Sequence, residues 1–251
     1  MAGHSKWANI KHRKQAVDAK RGKIFTKLAK EITISAKLGG SDESSNSRLK
    51  SAVIKARENN MPKDNIERAI KKGTGELEGE NYDEMIYEGY GPGGIAVIIE
   101  VLTDKKSRTV PEIKNIFTKA GGSMAEAGAV SYLFEHKGLI LVKSENTSEE
   151  ELFEISIECG ADDFEKDDEN IYALKTSKEN FHSALEKLYK QIENKNIEII
   201  ESGLQYLPKA EIPLDKEKVS SVLKLIENLE NHDDVQNVFT NLELTEEVLA
   251  G

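Results

Sequence analysis

The sequence has little of what usually announces chemistry. Its 251 residues include one cysteine, one tryptophan, five histidines and five prolines. A lone thiol, Cys159, excludes an internal disulfide and fits a reducing compartment. No apolar run approaches the ~20 residues that a membrane-spanning helix needs. The opening Met1-Ala2-Gly3-His4-Ser5-Lys6 lacks the apolar stretch of a secretory signal, so a cytoplasmic protein with no membrane partner is expected. No nucleophile elbow, cysteine–histidine pairing or metal-ligand cluster stands out, and the expectation is a non-enzyme without cofactor, metal or small-molecule substrate.

The nearest approaches to such motifs have plainer explanations. His4 and His12 have no cysteine or acidic ligand beside them, whereas zinc wants three or four close ligands. Gly91-Pro92-Gly93-Gly94 is not followed by the Lys-Ser/Thr of a phosphate loop, and a strand rather than a helix comes next, so it reads as a tight turn. The acidic run Asp162-Asp163, Glu165, Asp167-Asp168-Glu169 lacks the glycine and closing glutamate of a calcium loop and reads as a solvated hairpin tip.

Charge is what the chain does have, and it is segregated. Residues 1–72 hold 18 Lys and Arg against 7 Asp and Glu, a balance of +11 in a chain of net −10, so the remainder sums to −21. A basic end on an acidic protein points to a polyanion, with nucleic acid the obvious one.

Periodicity divides the chain into segments. Residues 22–38 read as an amphipathic helix with Ile24, Phe25, Leu28, Ile32 and Ala36 on one face. Lys20, Lys23, Lys27, Lys30 and Lys37 gather on the opposite, solvent-facing side, where Ile34 and Leu38 interrupt the pattern. Gly39-Gly40 ends the helix. A second helix is expected near 48–59 and a third from Pro62 through Lys72, stopped by Gly73 and Gly75. Beyond Tyr82 the pattern is α+β: a strand at 95–101, a helix at 111–120, and a strand at 130–135. Residues 138–203 follow the β-α-β-β-α-β ferredoxin-like order. A strand near 204–212, a helix at 215–231 and a strand at 235–242 complete the chain. The expected architecture is α+β: an N-terminal helical bundle with a basic arm (1–80), a discontinuous α+β domain (81–137 with 204–251), and a ferredoxin-like domain inserted into it (138–203).

Candidate nucleic-acid contacts are Lys6, Trp7, Lys11, Arg13, Lys14, Lys20 and Arg21 of the arm. Lys23, Lys27 and Lys30 of the first helix join them, with Lys63, Arg68, Lys71 and Lys72 of the third. Few acids lie among them to form helical ion pairs. Trp7 could stack on a base or anchor the arm to the fold. Tyr132 and Phe134 alternate on a strand like RNA-stacking aromatics, but packing against the domain's own helices explains them more simply.

Several stretches are more specific. Ala2-Gly3-His4-Ser5-Lys6-Trp7-Ala8-Asn9-Ile10-Lys11-His12 resembles the opening signature of the YebC/PmpR family. Asn60-Met61-Pro62-Lys63-Asp64-Asn65-Ile66-Glu67-Arg68-Ala69-Ile70, Tyr87-Glu88-Gly89-Tyr90-Gly91-Pro92-Gly93-Gly94 and Gly121-Gly122-Ser123 resemble further family stretches, over essentially the full length. Lys105-Lys106 stands where the family more usually has Asn-Arg, which keeps the position beside Arg108 basic. The resemblance implies a three-domain α+β protein, one domain inserted in another, with no catalytic residue to carry over. It also implies a cytoplasmic DNA-binding transcriptional regulator. Other members act in translation, so the alternative is a ribosome-associated translational activator that binds rRNA.

Overall fold

The computed structural model describes residues 21–168 and 170–244. Three helices come first: α1 (Arg21–Gly39), α2 (Ser47–Glu58) and α3 (Lys63–Gly73). Their shared core holds Leu28, Ile32 and Ala36 of α1, Leu49, Ala52, Val53 and Ala56 of α2, and Ile66 and Ala69 of α3. Asn46 fixes the turn between α1 and α2. Its side chain accepts from Leu49 N at 3.0 Å, capping α2, and donates to the carbonyls of Ser35 and Gly40 at 2.8 Å each. Gly40, at φ +85°, supplies the left-handed residue that stops α1. Gly73 lets α3 close on α1, because a Cβ there would lie 2.3 Å from the Thr33 carbonyl oxygen.

The remaining elements are β1 (Asp83–Tyr90), β2 (Ala96–Thr103), α4 (Lys106–Lys119) and β3 (Ser123–Ala125). They continue with β4 (Phe134–Ser144), α5 (Glu149–Cys159), β5 (Asp163–Asp168), β6 (Ile171–Ser177), α6 (Phe181–Ile192) and β7 (Ile197–Pro208). Last come α7 (Lys216–Glu230) and β8 (Val235–Thr240). The fold is mixed α+β with two four-stranded sheets, ordered β3-β1-β2-β8 and β5-β6-β4-β7. By compactness the chain forms two units: the described part of 19–134 with Pro208–Glu243, and Glu135–Leu207. No helix among the described residues is long and apolar enough to cross a membrane.

The first unit carries the three helices and the first sheet. β1 and β2 pair antiparallel from Asp83↔Thr103 to Tyr90↔Ala96, and β8 pairs along the other edge of β2. A strand hydrogen-bonded on both sides and packed on both faces reads as a near-continuous apolar run. That is why Ala96, Val97, Ile98, Ile99, Val101 and Leu102 are all buried. The Gly91–Gly94 turn contains Gly93 at φ +73° and Gly94 at φ +78°, as a tight reversal requires.

Glu88 is buried, and its carboxylate accepts the backbone N–H groups of Gly128, Val130 and Ser131 at 2.7, 2.6 and 2.9 Å. Burial acts to raise this carboxyl, but those three donors outweigh it and hold it below the usual range. Glu88 thereby pins the loop that follows β3.

The second unit has the β-α-β-β-α-β order expected for residues 138–203. Ile140, Val142, Leu152, Ile155, Tyr172, Leu174, Leu185 and Leu188 form its core. Burial also pushes the Cys159 thiol up to about 11, leaving a structural, unreactive sulfur.

Three expected boundaries are corrected. α4 begins five residues before Pro111, because Thr103 Oγ1 accepts from Lys105 N at 3.0 Å and Thr109 bonds Thr103 at 2.7 Å, anchoring the first turn. Proline removes one amide from such a helix without ending it. The strands expected at 197–201 and 204–212 are one strand, β7, and Ile212 makes only an isolated parallel bridge to Leu242. Tyr132 lies in a 3₁₀ turn (Ser131–Leu133) and is 64% exposed, while Phe134 opens β4 and is buried. Their alternation on one strand is therefore not observed.

Replacing Leu28 with Asp puts an uncompensated carboxylate into the three-helix core and should destabilise it by ~3 kcal/mol or more. Urea titration followed by circular dichroism checks this; an unchanged midpoint would contradict the packing described.

Candidate nucleic-acid interface

The lysines of α1 do not form the free cationic stripe that their spacing suggests. Lys30 is buried, and its ammonium lies 2.7 Å from Asp234 Oδ1, 2.9 Å from the Asp233 carbonyl and 3.3 Å from the Leu102 carbonyl. Lys23 donates to the Asn231 carbonyl at 2.6 Å and Lys27 to the Glu230 carbonyl at 3.0 Å. These carbonyls end α7, where the last turn has no helical donors and carries partial negative charge. Burial lowers the Lys27 ammonium, with Glu230 partly offsetting it. The expectation that all three face solvent is thus corrected: this side of α1 docks on the end of α7 and the C-terminal end of β2. Ile34, one turn beyond Lys30, is also buried, and among the described residues of this face Lys37 and Leu38 are exposed.

Asp234 is the hub of that contact. Its second oxygen accepts from Arg108 at 2.8 Å, Thr109 at 2.7 Å and Thr103 at 3.2 Å. Burial acts to raise the carboxyl, yet the bonds from Lys30, Arg108 and Thr109 hold it far below the ordinary carboxylate range. Lys106 pairs with Asp83 at 3.3 Å, and Arg108 also pairs with Asp104 at 2.8 Å. The basic run at 105–108 is therefore largely engaged within the fold.

The cations of α3 stand differently. Lys63, Arg68, Lys71 and Lys72 are all exposed. Lys63 reaches Glu67 at 3.5 Å, a surface pair worth little. Arg68, Lys71 and Lys72 make no ion pair among the described residues. Their backbone is set by Pro62, which opens α3, and by the buried Ile66 and Ala69, which turn the opposite side inward. Lys6, Trp7, Lys11, Arg13, Lys14 and Lys20 lie outside the described residues, and Arg21 is described only as the first residue of α1.

Between α1 and α3 runs a groove of about 300 Å³, edged by Arg68 and Lys72 and floored by Phe25, Ala29, Met61 and Ala69. Tyr82 forms a wall, with the Lys30 ammonium 5.4 Å from its ring centroid. Helical periodicity assigned Phe25 and Ala69 to the core but gave no sign of an opening beside them. Tyr82, placed only at the edge of the β-rich region, carried no signal at all.

A helical layer on an antiparallel sheet, with a second α+β unit between β3 and α7, defines the structural class. Residues 5–76 match the family model described as the TACO1/YebC protein N-terminal domain, and residues 82–242 match that of the TACO1/YebC second and third domain. The chain belongs to the TACO1/YebC family. A "probable transcriptional regulatory protein" of Leptospira biflexa is 53% identical over 99% of both chains. A protein of the same description from Treponema denticola is 50% identical over 98% of both. Among solved structures, a conserved hypothetical protein of Aquifex aeolicus superposes with a TM-score of 0.80 at 44% identity, covering 93% of this chain and 94% of that one.

Asp234→Ala leaves the Lys30 ammonium buried without its counter-charge and should cost about 3–5 kcal/mol in chemical denaturation. The carboxyl is depressed in the folded state, so its contribution is complete above the unfolded Asp value of ~4 and is lost as pH falls below it. Acid titration of the wild type should show this loss, and the alanine variant should lack that component.

Proposed function

We propose that this chain is a non-enzymatic regulator of gene expression that binds nucleic acid through the exposed cations of its helical layer. The observation that carries this reading is the set Arg68, Lys71 and Lys72, exposed and without ion-pair partners among the described residues, in a 72-residue segment of charge +11. Cations satisfied inside a fold cannot release counterions from a polyanion; these can. The names of the relatives from Leptospira biflexa and Treponema denticola favour transcription, hence DNA, as the setting. Such contacts position a protein on the phosphate backbone without specifying sequence. The basic residues from Lys6 to Arg21 would add their charge to this binding in a cytoplasmic protein.

Replacing Arg68, Lys71 and Lys72 together with alanine should leave the thermal midpoint nearly unchanged. It should flatten the plot of log affinity against log salt by about 2–3, at ~0.9 for each phosphate that is no longer neutralised. Lys23, Lys27 and Lys30 replaced together should instead lower stability, because each holds a carbonyl or carboxylate of the fold. Gel shifts on the chain's own upstream region and on random duplex measure the first effect, and failure to bind either at low salt would overturn the reading. Sedimentation with ribosomal subunits tests the translational alternative directly.

A further inference from the structure

The groove between α1 and α3 has the chemistry of a nucleotide subsite, and the geometry points to an unpaired nucleotide as its occupant. This inference rests on the proposed function and narrows it from polyanion binding to recognition of unstacked bases.

Three features converge. The floor of Phe25, Ala29, Met61 and Ala69 is apolar and partly aromatic, the kind of surface on which a base face can lie. The polar groups already satisfied by the fold are Thr26, whose hydroxyl donates to the Gly22 carbonyl at 3.1 Å, Lys30, Thr33 and Tyr82. Thr33 Oγ1 donates to the Ala29 carbonyl at 2.8 Å, and the Tyr82 hydroxyl donates to Glu80 at 2.7 Å. The side chains of Asn65, Arg68 and Lys72, by contrast, reach the groove with no partner among the described residues.

Asn65 offers a donor and an acceptor side by side, the pattern that reads a base edge. Arg68 and Lys72, one helical turn apart on α3, stand at the mouth where a phosphate attached to that base would lie. The volume of about 300 Å³ lies at the small end of ligand sites and suits one base rather than a larger group. A base stacked inside a duplex cannot enter, so the occupant must come from a single strand, a loop or an opened helix. Arg68 and Lys72, unpaired among the described residues, favour an anionic ligand over a cationic one.

The test uses the full chain and fluorescein-labelled oligonucleotides of one sequence: single-stranded DNA, single-stranded RNA and blunt duplex DNA, followed by anisotropy at fixed salt. At least one single strand should bind tenfold or more tighter than the duplex, and the two single-stranded arms identify which nucleic acid supplies the base. Asn65→Phe plugs the groove from an exposed position without removing a cation. It should abolish that preference while leaving duplex affinity within twofold. A 5-iodouracil strand should crosslink to the peptides carrying Phe25 or Tyr82, a readout independent of any variant's folding. If no probe binds, the proposed function itself fails. If all three bind equally, or the crosslink maps away from the groove, the subsite is overturned while nucleic-acid binding stands.

Discussion

The Asp234 carboxylate is 3% exposed and meets an ammonium, a guanidinium and two hydroxyls, contributed by α1, α4 and β2. A charge taken out of water is tolerated only when its hydrogen-bonding capacity is met on every side. That requirement ties the helical layer to the first sheet. It fixes where α1 crosses the end of α7, why α4 starts before its proline, and which lysines are left for other work. The Lys23 and Lys27 amines, which reach the Asn231 and Glu230 carbonyls, complete the joint by satisfying acceptors with which α7 ends, and Lys30 reaches the Asp233 carbonyl just beyond it.

The same joint explains what could be read from the chain beforehand and what could not. The helices of the basic segment were legible because Leu28, Ile32, Leu49, Val53 and Ile66 recur at helical spacing, with Gly39-Gly40 and Pro62 at the boundaries. The α+β character was legible from the β-rich run at 95–101 and its turn. The fate of the lysine stripe was not, because a helical wheel separates apolar from polar but cannot tell water from a row of carbonyl oxygens. Ile34 on the supposedly wetted side was the one local hint that this face was covered. The long β7 was hidden because the chain was divided into separate strands on either side of Ser202-Gly203, although extended backbone runs straight through both. The groove was invisible because it depends on how closely α3 approaches α1, a distance set by the missing side chain of Gly73.

Charge segregation along the sequence is therefore only partly segregation in space. Some positive groups of the first 72 residues hold the molecule together, and Arg48 is another, bonded to Glu31 at 2.8 Å and to Glu84 at 2.5 Å. The family stretches divide along the same line. Those around Glu88 and Gly121-Gly122 serve a pinned loop and a tight crossing: a Cβ on Gly122 would lie 2.5 Å from the Tyr90 carbonyl oxygen. The stretch from Asn60 to Ile70 instead presents α3 outward.

The chain leaves the first unit at Phe134 and returns at Pro208, and the two strands that carry it out and back, β4 and β7, are neighbours in one sheet. Lys209 N donates to the Leu133 carbonyl at 2.9 Å, so departure and return sit side by side. Such a doorway makes the intervening seventy-odd residues topologically dispensable to their host. Evolution can lengthen, exchange or discard that cassette without rethreading the polypeptide around it.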